Sequence, residues 1–340
     1  MTDRVQEYIK AYEDVFAVSP SFRAKALAKK YRVLDYMAER YLNFLGEVAE
    51  EFLRSCSFPL RKAVRCNTLK VKECSVMVEG LREKGFELKE VGWVPYFYWV
   101  ERSPKSPTLG STLEYLNGFY YIQSPVSGVP VLELDPHNTD RVLDMAAAPG
   151  GKTSFISQLM GNGGVVVAVE RSRERMRSLL SNLSRLGVAN VVTLRQDVKR
   201  LVDAFEDYFD KILLDAPCSG EGLIPEDESR RTKTTLLDLK EFFEEQVALV
   251  DIAIRLLRPG GLLVYSTCSI APEENEMVIN YLVEYYDVEI ERVSSNYPAL
   301  TGITEYRGHK LSEDLVNCIR FYPHVSGTEG FFVCKIRRKT

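Results

Sequence analysis

The chain has 340 residues, 45% of them hydrophobic, enough to bury a full core in one large domain with a smaller one attached. No apolar run reaches the length of a membrane span, and the opening MTDRVQEYIKAYEDVF is amphipathic with acids rather than a signal peptide, so a cytoplasmic protein without a membrane partner is expected. A net charge of −4 offers nucleic acid no bulk attraction, and seven cysteines with no CxxC or Cys/His cluster predict neither a disulfide scaffold nor a metal site.

Residues 1–56 read as an N-terminal helical segment, because VLDYMAERYLNFLGEVAEEFL spaces its apolar residues by three and four. Its stretch Arg23–Arg32 carries five basic residues and no acid, and Arg54–Lys72 carries six and none. Two such runs predict a polyanion-binding surface despite the acidic total. Residues 57–107 read as a small α+β subdomain, with a strand in AVRCNTLKV, a helix in VMVEGLREKG closed by Gly85, and a strand in WVPYFYWV. RSPKSPTLGS then breaks all periodicity and sets a domain boundary near Pro107.

From 108 to 340 strands alternate with helices, the pattern of a Rossmann-like, doubly wound α/β sheet with helices on both faces. The strands are RVLDM (141–145), VVVAVE (165–170), VVTLRQD (191–197), KILLD (211–215) and LLVYSTC (262–268), with GFFVCKI (330–336) returning to the sheet. Ser172 caps a helix whose stripe is Met176, Leu179, Leu180, Leu183 and Leu186, stopped by Gly187; Leu239, Phe243, Val247, Val250, Ile254 and Leu257 make a second stripe.

The residues able to do chemistry fall at the carboxyl ends of those strands, which share one edge of an open parallel sheet. In DMAAAPGGKTS the Gly151-Lys152-Thr153 end matches a phosphate-binding P-loop, but Ala146 stands where glycine is needed and Pro149 lies inside the loop. Glu170 is placed to accept two ribose hydroxyls, and Asp197 lies near an adenine position. Without GxGxxG for a dinucleotide or a true P-loop for ATP, S-adenosylmethionine is the cofactor that remains.

ILLDAPCSGEG and VYSTCSIAPEEN then bring Cys218 and Cys268 toward the same crevice beside Asp215. Two thiols near a methyl donor suit C5 of a pyrimidine: a thiolate adds to C6, C5 becomes nucleophilic, and a base later removes the C5 proton. Asp215 is suited to hydrogen-bond the N3/N4 edge of cytosine when either partner carries the required proton. Either cysteine fits the attacking role on this reading, and of only three histidines, His324 reads as structural.

DMAAAPGGKTS, DAPCSGEG and YSTCSIAPEENE, with RCNTLKV, FYYIQSPVSGVPVLELDP and TEGFFVCKIRR, closely resemble the Sun/Fmu (Nop/Sun) family of RNA cytosine-5 methyltransferases over roughly residues 58–338. The resemblance implies that Cys268 is the nucleophile and that Cys218 serves proton removal and product release. It implies that Ala146, Ala147, Ala148, Pro149, Gly150, Gly151, Lys152, Glu170, Arg175, Asp197 and Asp215 bind S-adenosylmethionine, and that Lys152 and Asp215 approach a flipped-out target base. Residues 57–107 resemble the family's small RNA-recognition-like subdomain, where Arg65, Asn67 and Thr68 serve either phosphate contact or core packing. RNA is the expected partner, transfer RNA favoured over ribosomal RNA, and a monomer is expected. Readings from other classes are a P-loop-like NTPase and a non-catalytic RNA-binding assembly factor.

Overall fold

Two sheets organise the chain, of which the computed structural model describes residues 3–340. The smaller has four strands, β1 (Ala63–Cys66), β2 (Glu87–Glu90), β3 (Phe97–Arg102) and β4 (Tyr120–Ile122), in the order β2-β3-β1-β4 with every pair antiparallel. The helix Cys74–Glu83 buries Met77 and Leu81 in a core shared with Val64, Phe86 and Tyr120. The break at RSPKSPTLGS is therefore a loop inside this subdomain rather than its end. A boundary at 107 would cut off β4, whose three residues are too few to show a period of two.

The larger sheet holds β5 (Arg141–Asp144), β6 (Val165–Val169), β7 (Val191–Leu194), β8 (Phe209–Asp215), β9 (Leu257–Thr267), β10 (Val288–Glu291) and β11 (Leu300–Thr301). After a separate hairpin of β12 (Glu305–Tyr306) and β13 (His309–Lys310), β14 (Ile319–Phe321) and β15 (Phe331–Arg338) rejoin it. The order is β11-β14-β15-β9-β8-β5-β6-β7, with β10 also on β15. Strands β5 to β9 are mutually parallel as expected, whereas β15, β14, β11 and β10 pair antiparallel, so the sheet is mixed.

Alternate residues of the parallel strands feed two different cores, as a period of two requires. Leu143, Ile212, Leu214, Leu263 and Tyr265 face the core built with the helices Leu236–Leu256 and Glu276–Tyr285. Val142, Leu213 and Val264 face a second core with Phe155 and Ile156 of the helix Gly151–Leu159. On that side too, Arg173–Leu186 starts at Ser172, whose hydroxyl accepts the Arg175 N–H, and stops at left-handed Gly187. Its buried stripe is Met176, Leu179, Leu183 and Leu186; Leu180, expected in it, is exposed.

The N-terminal helices are built onto this domain. Val5 and Tyr8 of the helix Asp3–Ala11 enter the core of Leu236–Leu256, and the helices Phe22–Tyr31, Asp35–Leu45 and Ala49–Ser55 share a cluster with Ile224, Ile270 and Tyr322. At the centre of that contact Arg40 is fully buried. Its guanidinium donates to Glu221 at 2.7 Å and to both oxygens of Glu273 at 2.7 and 2.6 Å. Two disulfides, Cys66–Cys74 and Cys318–Cys334, also correct the expectation of none; separations of 8 and 16 residues match no motif, and only the fold brings these pairs together. Among the described residues no helix is long and apolar enough to cross a membrane.

Removing the Arg40 guanidinium would leave two buried carboxylates without their cation, so Arg40→Ala is expected to cost about 3–5 kcal/mol of stability. A urea-unfolding midpoint checks this, with Arg23→Ala, which breaks an exposed pair with Glu47, expected to leave the midpoint unchanged.

Candidate active site

Strand order reverses around β5, which lies between β8 and β6, and the crevice outside the carboxyl ends of these strands is where an open α/β sheet binds ligands. Ala146, Ala148, Glu170, Arg175, Asp197, Asp215, Cys218 and Cys268 all line one cavity of about 260 Å³ there. Ala147, Pro149, Gly151 and Lys152 line a second cavity on the other side of the loop, together with Tyr121 and Gln123 of the small subdomain. Gly150 lines neither. Its φ of +103° is the left-handed turn into the helix Gly151–Leu159, a conformation that favours glycine. A β-carbon there would lie 3.0 Å from Leu179, and one on Gly151 would lie 3.0 Å from Tyr121. The glycines thus let the loop pack closely against Leu179 and Tyr121.

That loop is braced from outside. Arg175 donates to the Ala148 carbonyl at 2.7 Å, with its Nε 3.5 Å from Glu170, and Asn182 donates to the Pro149 carbonyl at 2.9 Å. Asp144, at the end of β5, is fully buried and accepts the Thr153 hydroxyl at 2.7 Å on one oxygen, while its Oδ1 has no hydrogen-bond partner. Burial pushes its carboxyl up to about 6. Glu170 accepts the Ser172 N–H at 2.7 Å and Asp197 the Lys199 N–H at 3.0 Å, which fixes both carboxylates at the cavity wall.

The reactive groups meet at the ends of β8 and β9. Cys218 Sγ and Cys268 Sγ are 3.2 Å apart. The hydrogen bond with Cys268, burial, and the nearby Glu274 carboxylate all push the Cys218 thiol well above its ordinary range. Lys152 Nζ donates to Asp215 at 2.6 Å, and Ser266 holds the other Asp215 oxygen at 2.7 Å. Burial disfavours the Lys152 ammonium, but Asp215 outweighs it and keeps the lysine charged. The lysine that a triphosphate loop would aim at phosphate is committed to a carboxylate.

Arg65 and Asn67, weighed as phosphate contacts or core packing, are core. Arg65 is fully buried, donating to the Gly151 carbonyl at 2.7 Å and Ser154 at 2.8 Å, with its guanidinium 4.7 Å from the Phe155 ring centre. Burial lowers its pKa to about 9. Asn67 donates to the carbonyls of Gly118 and Leu186, both at 2.8 Å, tying the subdomain to the helix Arg173–Leu186. Thr68, in the turn that follows, is half-buried, while Arg54, Arg61, Lys62, Lys70 and Lys72 of the same basic run are exposed. His324 packs on Phe52 and Tyr322, but its Nδ1 lacks a partner.

Among the buried acids that sequence reasoning passed over are Glu329 and Glu274. Glu329 hydrogen-bonds Ser124, and burial pushes it up to about 7. Glu274 bonds to both cysteine-bearing turns. Acidic residues in APEENE and TEG give no sequence signal of burial.

A family model described as 16S rRNA methyltransferase RsmB/F matches residues 131–337, and one described as the N-terminal domain of 16S rRNA methyltransferase RsmF matches residues 35–125. Ribosomal RNA small subunit methyltransferase F of Vibrio campbellii is 38% identical over 293 residues, 86% of this chain; the chain spans 60% of that relative's length. Among solved structures, a methyltransferase homolog protein from Pyrococcus horikoshii is 39% identical with a TM-score of 0.84, covering 94% of this chain and 99% of that one. NSun6 from the same organism, determined with SFG, is 25% identical with a TM-score of 0.76, covering 94% and 98%. On these matches the chain has the class I methyltransferase fold and belongs to the RsmB/F methyltransferases of the Sun/Fmu family of RNA cytosine-C5 methyltransferases.

Proposed function

We propose that this protein methylates C5 of cytosine in RNA with S-adenosylmethionine, through a covalent adduct on Cys268, and that small-subunit ribosomal RNA is its substrate. The observation that carries the reading is the pair of thiols 3.2 Å apart at a cavity that also presents Glu170, Asp197 and Asp215. The names of the matched relatives, which refer to ribosomal RNA, support that choice of substrate. Nothing in the geometry favours the transfer RNA expected earlier.

The residues fit the cofactor. Glu170 offers a carboxylate to a ribose, Asp197 a carboxylate and Val198, Pro217 and Leu249 apolar contact to an adenine, and the orphaned Asp144 Oδ1 a buried acceptor near the loop. When bound, S-adenosylmethionine supplies the electrophilic methyl group. Cys268 forms the S–C6 bond, and the C5=C6 electron pair moves onto C5. Asp215, held by Lys152 and Ser266, accepts from the N4 amino group and so orients the base. The Lys152 ammonium lies within electrostatic reach of Cys268. In the later step C5 loses its proton, the C5=C6 bond re-forms and the S–C6 bond breaks; Cys218, held as a thiol 3.2 Å from Cys268, is placed to return a proton to the departing sulfur, and it can take the C5 proton only once it is itself a thiolate. Exposed Arg54, Arg61, Lys62, Lys70 and Lys72 form the phosphate-binding face.

Labelled methyl is expected in 5-methylcytidine when the protein acts on unmodified small-subunit ribosomal RNA, and transfer from Cys268→Ala is expected to vanish. Label appearing only in transfer RNA would move the substrate. No label in protein that binds the cofactor would leave an RNA-binding assembly factor as the better reading. Glu170→Ala is expected to weaken S-adenosylmethionine binding by about 1.5–3 kcal/mol, the range for a hydrogen bond to a charged group. Calorimetry with the cofactor alone checks this, and unchanged affinity would move the ribose away from Glu170.

A further inference from the structure

The turn that follows β8 and the turn that follows β9 are held by one carboxylate. Glu274 is fully buried. Its Oε1 accepts the Ser219 backbone N–H at 2.7 Å and the Gln246 amide at 3.1 Å. Its Oε2 accepts the Ser219 hydroxyl at 2.5 Å and the Ser269 hydroxyl. Ser219 directly follows Cys218 and Ser269 directly follows Cys268. Gln246 also donates to the Pro217 carbonyl at 2.9 Å, and the Tyr265 hydroxyl donates to the Glu274 carbonyl at 2.6 Å, so the acid is itself fixed from two further elements.

We propose that Glu274 is the positioning residue of this site: by taking hydrogen bonds from the residues next to both cysteines, it sets the separation and aim of the two thiols. This rests on the reading of Cys268 and Cys218 as the reacting pair. Glu274 lines neither cavity beside the loop and so touches neither cofactor nor base.

Two observations separate this role from ordinary core filling. Glu273 and Glu276 on either side, and Glu221 across from them, are ion-paired to Arg40 or Arg320, whereas Glu274 has no cationic partner among the described residues. Four neutral donors converge on it instead. Only an ionised carboxylate accepts at every one of those positions; a glutamine would turn two N–H groups toward the serine hydroxyls. Burial pushes Glu274 up to about 7 while the serine hydrogen bonds pull it down, so the site keeps an unfavourably buried acid where an apolar side chain would fill the space without that cost.

The separation of the sulfurs can be read without RNA or cofactor. In glutathione buffers Cys218 and Cys268 are oxidised to one disulfide while one oxidised glutathione is reduced to two thiols, and peptide mass mapping gives the effective concentration of the pair. In Glu274→Asp the shorter side chain cannot reach both serines. Its effective concentration and its kcat are each expected to fall roughly tenfold with KM for S-adenosylmethionine unchanged, as when two groups lose mutual orientation. Glu274→Gln is expected to recover part of both. Ser269→Ala removes one strap and serves if the aspartate variant does not fold; it is expected to lower the same two quantities. An effective concentration at the wild-type value in the aspartate and Ser269→Ala proteins would overturn the proposal, even if methyl transfer is intact. A Glu274-dependent effective concentration in a protein that methylates no RNA would support the positioning role and remove only the functional reading beneath it.

Discussion

A guanidinium shut away from solvent holds the two cysteine-bearing turns to the rest of the molecule. Arg40 reaches Glu221 from the turn after β8 and Glu273 from the turn after β9, and the Tyr306 hydroxyl adds a bond to Glu273 at 2.9 Å. Burying these charges carries a desolvation penalty, and such a pair tolerates the loss of neither partner. The segment Glu273-Glu274-Asn275-Glu276 is fully buried, and each side chain is committed: Glu273 to Arg40, Glu274 to two serines, Asn275 to Thr267 and Ser269, Glu276 to Arg320. Two turns that would otherwise be loops on a sheet edge become fixed parts of the core, with thiols at their tips.

The same constraint joins the parts of the chain. The N-terminal helices carry Arg40, so they complete the support of the site as well as flank it. The small subdomain does the corresponding work on the other side, where Arg65 grips the start of the helix Gly151–Leu159 and Asn67 ties the subdomain to Arg173–Leu186. A cavity bounded by Tyr121 and Gln123 on one side and by Lys152 and Asp215 on the other thus has walls from two units with fixed relation to the thiols. A reaction that must align a base, a sulfur and a methyl donor benefits from such preorganisation.

Much of the fold was legible because buried parallel strands read as runs of Val, Ile and Leu, and β5, β6, β8 and β9 are such runs. The short β4 and β14 offered too few residues for a period, and the exposed Glu87–Glu90 strand has a single apolar residue. At the site, strand-end position placed Glu170, Asp197, Asp215 and both cysteines at one cavity. Arg65 and Asn67 were ambiguous because a count of charges contains no burial: five of the six basic residues in that run are exposed and the sixth lies under the loop. The disulfide partners and Glu274 depend on contacts between distant elements, which neither spacing nor periodicity encodes.

Which sulfur forms the bond to the base decides the roles of the two cysteines. RNA carrying 5-fluorocytidine at the target position keeps its fluorine where a proton would leave, so a thioether to C6 cannot resolve. Mass mapping of the cross-linked peptide should find the nucleotide on Cys268, with the methyl group already transferred. A nucleotide on Cys218 would reverse the two roles. The absence of any adduct in protein that methylates ordinary RNA would contradict the covalent route altogether.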